Sequence, residues 1–302
     1  MEYEKFKEKL VKRLKEHYGD SAEVEVKEMP KNNSTSYEGL QISPKGAGSR
    51  VIPIIKLDEL YEDFKRDNRD MDWCVEEVLN DLESNEAPES VKRLVERLND
   101  WNLVKETVYP ILLSTDDNKE MLEELVSIPM LDMSVAYIIR MEVKNGSTGS
   151  IKITRSMLNH YGISGMQLHN QAMENLEKDG YNFLSLTYLV RNLLTEKEME
   201  EAFTGISRPT EMYVLTNSSK TYGAAGILNK ELIRKFAGKQ DYFILPSSVH
   251  ETIFVPVNDR LSKETLDNMV AEVNETQVSV EERLTNHSYF YSAETDEIRM
   301  CA

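Results

Sequence analysis

Residues 211–257 read EMYVLTNSSKTYGAAGILNKELIRKFAGKQDYFILPSSVHETIFVPV, and this stretch decides the fold. Glu211–Thr216 is a short apolar strand with Met-Tyr-Val-Leu at its heart. A polar loop, Asn217-Ser218-Ser219-Lys220, leads into the small-residue run Gly223-Ala224-Ala225-Gly226. Ile227, Leu228, Leu232, Ile233 and Phe236 then recur at helical spacing, and Gly238 ends that helix. Tyr242–Leu245 is a fully apolar strand, Pro246–His250 turns the chain, and Glu251–Val257 returns as another. The crossover from the first strand to the second exceeds twenty residues, enough for a parallel βαβ unit. Such a unit ends both strands on one edge of the sheet. Ligands of open sheets gather at that edge.

Outward from this core, Ser262–Gln277 reads as an amphipathic helix with Leu266, Met269, Val270 and Val273 inward. Tyr289–Tyr291 and Glu297–Met300 close as short strands. Upstream, Met133–Val143 and Ser150–Thr154 form a hairpin about Asn145–Gly149. Two helices follow, the second capped by Ser164 with Gln167. Phe183–Leu194 and Glu196–Phe203 read as helical, and Gly205–Pro209 as a linker.

At the amino terminus, Tyr3, Phe6, Leu10 and Leu14 stripe a helix stopped by Gly19. Ala22–Met29 and Tyr37–Ser43 alternate as a hairpin. Arg50–Lys56 is a third strand, whose Pro53 argues for an edge or a bulge. Residues 57–126 are mostly helical, with one stripe through Met71, Val75, Val78, Leu79 and Leu82 and another through Val91, Leu94, Val95, Leu98 and Trp101. Asp117 with Glu120 suggests a capping box, and Val104–Leu113 fits strand or helix. The fold class is therefore α+β. A mixed β-sheet with flanking helices and a βαββα core fills the carboxyl-terminal half, and a small sheet with a helical insertion fills the other half. A change of texture suggests domains at 1–128 and 129–302; one continuous domain is the alternative.

Composition limits function. The chain has 302 residues, 36 Lys and Arg against 53 Asp and Glu, and a net charge of −17. That charge repels phosphate backbones and anionic bilayers, so neither nucleic acid nor membrane is an expected partner. The two cysteines, Cys74 and Cys301, suit a reducing cytosol and make no structural zinc site. No leader or membrane span is read from the sequence, and a cytoplasmic location is expected.

One polar constellation carries possible chemistry: Asn217, Ser218, Ser219, Lys220, Tyr222, Gly223, Ser247, Ser248, His250 and Glu251. Ser247 or Ser248 activated by His250 and oriented by Glu251 would make a nucleophile, yet the G-x-S-x-G elbow is missing. Free N–H groups after Gly223, helped by Lys220, would hold an anion, yet the phosphate-loop order is missing. His250-Glu251 begins a zinc motif without its second histidine. The plain reading is that the serines hold the turn and His250 satisfies a nearby carbonyl. These residues are kept as a ligand-binding set, with no catalytic residue, metal or cofactor assigned.

Several segments resemble a known family: Met212–Asn217, Tyr222–Ala225, Ile244–Glu251, Val273–Gln277, Ile128–Asp132 and the Lys31-Asn32-Asn33 turn. They resemble an uncharacterised bacterial family, domain of unknown function number 5688, common in gut clostridia. The resemblance covers nearly the whole chain. It implies a stand-alone unit carried on mobile elements and brings no activity or catalytic residues. The leading expectation is a non-enzymatic cytosolic interaction or regulatory protein with a protein partner. The second is a small-molecule binder or hydrolase-like enzyme using the Ser247–Glu251 turn and Asn217–Gly223 loop. An acidic decoy for a nucleic-acid-binding protein is the third.

Overall fold

The computed structural model describes residues 1–45, 54–66, 68–84, 97–142, 148–193, 211–246, 248–258 and 261–301. Ser247, most of the Arg50–Lys56 strand, the Asn145–Gly149 turn up to residue 147, the stripe residues Val91, Leu94 and Val95, the helix at 196–203 and the linker at 205–209 lie outside them. The chain packs as two units, Met1–Leu103 and Val104–Ala302.

In the first unit, α1 (Tyr3–Tyr18) buries Phe6, Leu10 and Leu14, one per turn along a single face. Each fully buried side chain of this size stabilises by about 1.5–3 kcal/mol. Gly19, at φ 52°, takes the left-handed conformation that ends the helix. The hairpin of β1 (Ala22–Pro30) and β2 (Ser36–Pro44) runs in continuous register from Ala22 opposite Pro44 to Pro30 opposite Ser36. β3 (Ile54–Lys56) completes a three-stranded sheet of order β1-β2-β3. α1, α2 (Leu57–Arg66) and α3 (Met71–Ser84) share one core with Val24, Leu40 and Ile42. Phe6 meets the rings of Tyr61 and Phe64 at 5.2 and 5.1 Å.

The second unit opens with β4 (Val108–Ser114), α4 (Lys119–Glu124), β5 (Ser127–Met130), β6 (Met133–Glu142) and β7 (Thr148–Lys152). β6 pairs with β4 along one side and with β5 and β7 along the other. The ladder of β4 with β6 thus spans the position near residue 128 where the sequence texture changes. Val104–Leu113, ambiguous by pattern, divides: Val104 ends a short helix, Lys105–Thr107 is a 3-10 turn, and Val108 onward is a strand whose Pro110 is tolerated because β4 is an edge. The capping box at Asp117 does not form. Ser114 Oγ donates to that carboxylate instead, at 2.7 Å.

α5 (Arg155–Tyr161) and α6 (Gly165–Lys178) follow, and the Ser164–Gln167 capping box is present. Then come β8 (Asn182–Ser185) and α7 (Leu186–Leu193), so Phe183 begins in a strand, not a helix. The remaining elements are β9 (Tyr213–Thr216), α8 (Lys230–Ala237), β10 (Tyr242–Leu245), β11 (Thr252–Pro256), α9 (Lys263–Thr276), β12 (Tyr289–Ser292) and β13 (Glu297–Met300).

These strands form a six-stranded sheet of order β13-β12-β10-β11-β9-β8. The α+β class holds, but every ladder is antiparallel, where a mixed sheet with a parallel βαβ pair was expected. β11 lies between β9 and β10 and opposes both. The two outer strands therefore run the same way without touching, and both end on one edge. α8 covers one face of the sheet: Phe236 stacks on Phe183 at 3.6 Å and meets Phe254 edge-on at 6.2 Å. α9 covers the other through Leu266 and Val270 against Leu245 and Val255. Met269 and Val273 are exposed rather than inward, because the buried stripe of α9 runs Leu266, Val270, Asn274. Asn274 earns that position by donating to Thr285 O and Asn286 Oδ1, both at 2.7 Å.

Candidate functional site

The shared edge brings the Asn217 loop against the His250 turn. Thr216 Oγ1 donates to His250 O at 2.9 Å, and Tyr222 N donates to His250 Nδ1 at 3.3 Å. Gly223 sits in the crease. A Cβ there would lie 2.4 Å from both His250 O and Thr216 Oγ1, so only glycine lets the strands close. The expected helix at Gly223 is a 3-10 stretch, Gly223–Leu228, and α8 begins only after Asn229, whose side chain caps Leu232 N at 3.0 Å. Ala224 N donates to Val249 O and Ala225 N to Tyr222 O, which engages two of the amides on which the anion-binding reading draws.

Asn217 is 4% exposed and spends its whole side chain internally. Nδ2 donates to Asp179 Oδ2 and Thr221 O, both at 3.0 Å, and Oδ1 accepts from Ser219 Oγ and Thr221 N. Ser218 Oγ donates to Gly180 O at 3.2 Å. Lys220 is exposed and Tyr222 is half-buried against the apolar cluster of β4, α4 and β6; both hold φ 53°. Behind Asn217, Asp179 takes a two-pronged contact from Arg140, whose guanidinium lies 3.6 Å over the Tyr109 ring.

His250 is held at both ring nitrogens. Because Nδ1 accepts from a backbone N–H, the proton of the neutral ring lies on Nε2, which donates to Glu282 Oε1 at 3.1 Å. Ser248 Oγ accepts from His250 N at 3.0 Å and does not reach the ring. The proposed serine–histidine–glutamate relay is therefore not assembled from Ser248, and the carboxylate that orients His250 is Glu282, not Glu251. Val249 N donates to Glu282 O at 2.8 Å, which ties the turn to that segment. Glu251 is half-buried. Burial pushes its carboxyl above the usual range, His250 pulls it down, and the charge of Glu282 raises it further. No group of three or more metal-ligating side chains converges among the described residues.

The sequence singled out the loop and turn that the fold unites. It missed Glu282, Asp179, Arg140 and Thr216. A family profile matches residues 3–293 and describes a family of unknown function. The chain belongs to DUF5688. No curated protein and no solved structure matches it. The DUF5688 match spans both packed units, so the rim and the amino-terminal sheet belong to one family unit. Among the described residues of this DUF5688 chain, no helix is long and apolar enough to cross a membrane.

Proposed function

We propose that the protein is a non-enzymatic interaction or regulatory protein of the bacterial cytosol, with another protein as its partner. The observation that carries this reading is the internal use of the rim. Asn217, Ser248 and both nitrogens of His250 are committed to bonds within the fold. A general base keeps one nitrogen within reach of the reacting proton, and here the second nitrogen of His250 is taken by the Tyr222 N–H. The net charge of −17 favours a partner with basic character over nucleic acid or an anionic membrane. The test is affinity capture from the native host, followed by reconstitution of the complex from purified components. A reconstituted complex that survives His250→Ala and Asn217→Ala supports the reading. A small molecule retained in native mass spectrometry and lost on His250→Ala refutes it.

Glu251 favours a second reading, a small-molecule binder or hydrolase-like enzyme. A carboxyl held up by burial stands beside the His250–Glu282 pair, and environments that push titratable groups apart suit acid–base work. Lys220 and Ser218 would then face the ligand from the loop. Turnover that Glu251→Gln abolishes, with folding intact, would establish this alternative.

A further inference from the structure

We propose that the open edge of β1 and the groove between β1 and α1 receive an extended segment of a partner protein, added as a fourth strand to the amino-terminal sheet. The segment carries apolar residues at alternate positions and Lys or Arg between them. This goes beyond the reading above and concerns a different surface, so it stands or falls apart from the rim.

β1 is nine residues long and pairs only with β2, so one whole side of its backbone has no strand partner among the described residues. Such an edge is a template for another strand. Natural edges are blunted by being short, bulged or covered, or by charged side chains and proline; β1 carries the charges and a terminal Pro30. This one is long and its register with β2 is unbroken from Ala22 to Pro30.

α1 lies along β1 and leaves a shallow, open groove of about 480 Å³ in which Val11, Val24 and Val26 lie among Lys7, Glu8, Lys15, Glu25 and Glu38. A second concavity of about 500 Å³ continues it along α1, sharing Glu8, Val11 and Lys15. An extended peptide beside β1 would alternate its side chains between the two faces of the sheet. Those on the helix side would meet these valines. Those on the other side would lie next to Glu23 and Glu25, which project from the face opposite Val24 and Val26. Glu23 is exposed, and the Glu25 side chain is 42% exposed and paired with Lys27 among the described residues.

The charges select the occupant. Glu8, Glu16, Glu23, Glu25, Glu28 and Glu38 border the edge and its groove against Lys7, Lys12, Lys15 and Lys27, with Lys12 held by Glu16 and Lys27 by Glu25. Lys7 is already held by Glu4 and Glu38. Basic side chains on the incoming strand complement that excess. A second copy of this chain would bring the same glutamates and another net charge of −17, which opposes self-pairing.

The experiment uses the full chain, ¹⁵N-labelled, titrated at physiological salt with an acetylated, amidated peptide of alternating lysine and valine matched in length to β1. Saturable amide shifts confined to residues 22–30 and the facing side of α1 are expected. Blocking the peptide's pairing amides by N-methylation should weaken binding more than about tenfold, since each backbone bond contributes about 1 kcal/mol. Glu25→Lys should weaken it about threefold through lost charge complementarity while leaving the melting temperature unchanged. Absence of saturation, shifts scattered over other acidic surfaces, or equal binding of the N-methylated peptide would overturn the proposal. So would equal binding of an alternating glutamate–valine peptide, or a β1-mediated dimer in sedimentation.

Discussion

Replacing Gly223 with alanine should destabilise the second unit by about 3 kcal/mol. The new Cβ would stand 2.4 Å from His250 O, 2.4 Å from Thr216 Oγ1 and 3.0 Å from Asn217 N. Two of these three neighbours are backbone atoms of the paired segments, so relief requires the Asn217 loop to leave the His250 turn. Forcing atoms into a packed site costs about 1–3 kcal/mol. Opening the crease also forfeits the Thr216–His250 hydrogen bond, about 1 kcal/mol more. At roughly 2–4 °C per kcal/mol for a unit of this size, the melting temperature should fall by about 6–12 °C. The control is Gly165→Ala, at the start of α6, where the nearest foreign atom is Val126 Cγ1 at 4.0 Å. That change should be neutral or stabilising, because alanine restricts the unfolded chain and suits a helix. Differential scanning calorimetry of both variants decides. A Gly223→Ala protein that melts within about 1 °C of the parent would refute the close-approach argument.

Asp179→Asn should cost about 3 kcal/mol in urea unfolding, because it strands the Arg140 guanidinium where side-chain exposure is only 17%. Glu251→Gln should gain stability relative to the parent as pH rises. Its carboxyl is raised in the folded state, so the parent's contribution is full below the unfolded pKa and is lost as pH rises through the folded one. Paired melting curves from pH 4 to 8 test this, and a difference that is flat or shrinks with pH would contradict it. Thiol labelling should modify Cys301 well before Cys74, which is fully buried and whose thiol burial pushes up to about 11.

Local pattern carried the elements whose burial follows one period. α1, the β1–β2 hairpin, β10 and β11 were legible because their apolar residues keep a constant spacing. β8 was not, since four residues running into a helix share that helix's apolar texture. α9 defeated the pattern differently: a buried asparagine with two good partners outcompeted Met269 and Val273 for the inward face. The rim was half legible. Common direction of β9 and β10 put the loop and turn together, although the insertion of β11 between them was not foreseen. Glu282 and Asp179 stand 32 and 38 residues from the side chains they hold, and no local signal links such positions.

The placement of β11 has a consequence for how the protein is made. A strand synthesised after β9 and β10 must separate them in space, so the edge joining Asn217 to His250 has no physical existence in a chain that stops at Leu245. The anchoring carboxylate arrives later still, at Glu282. On the ribosome the amino-terminal unit and the β4–β7 sheet can be finished while this corner is open, and only a chain extended past Glu282 can shut it. The closed rim therefore depends on chain as far as Glu282: anything that recognises it in that form ignores a chain cut before that residue.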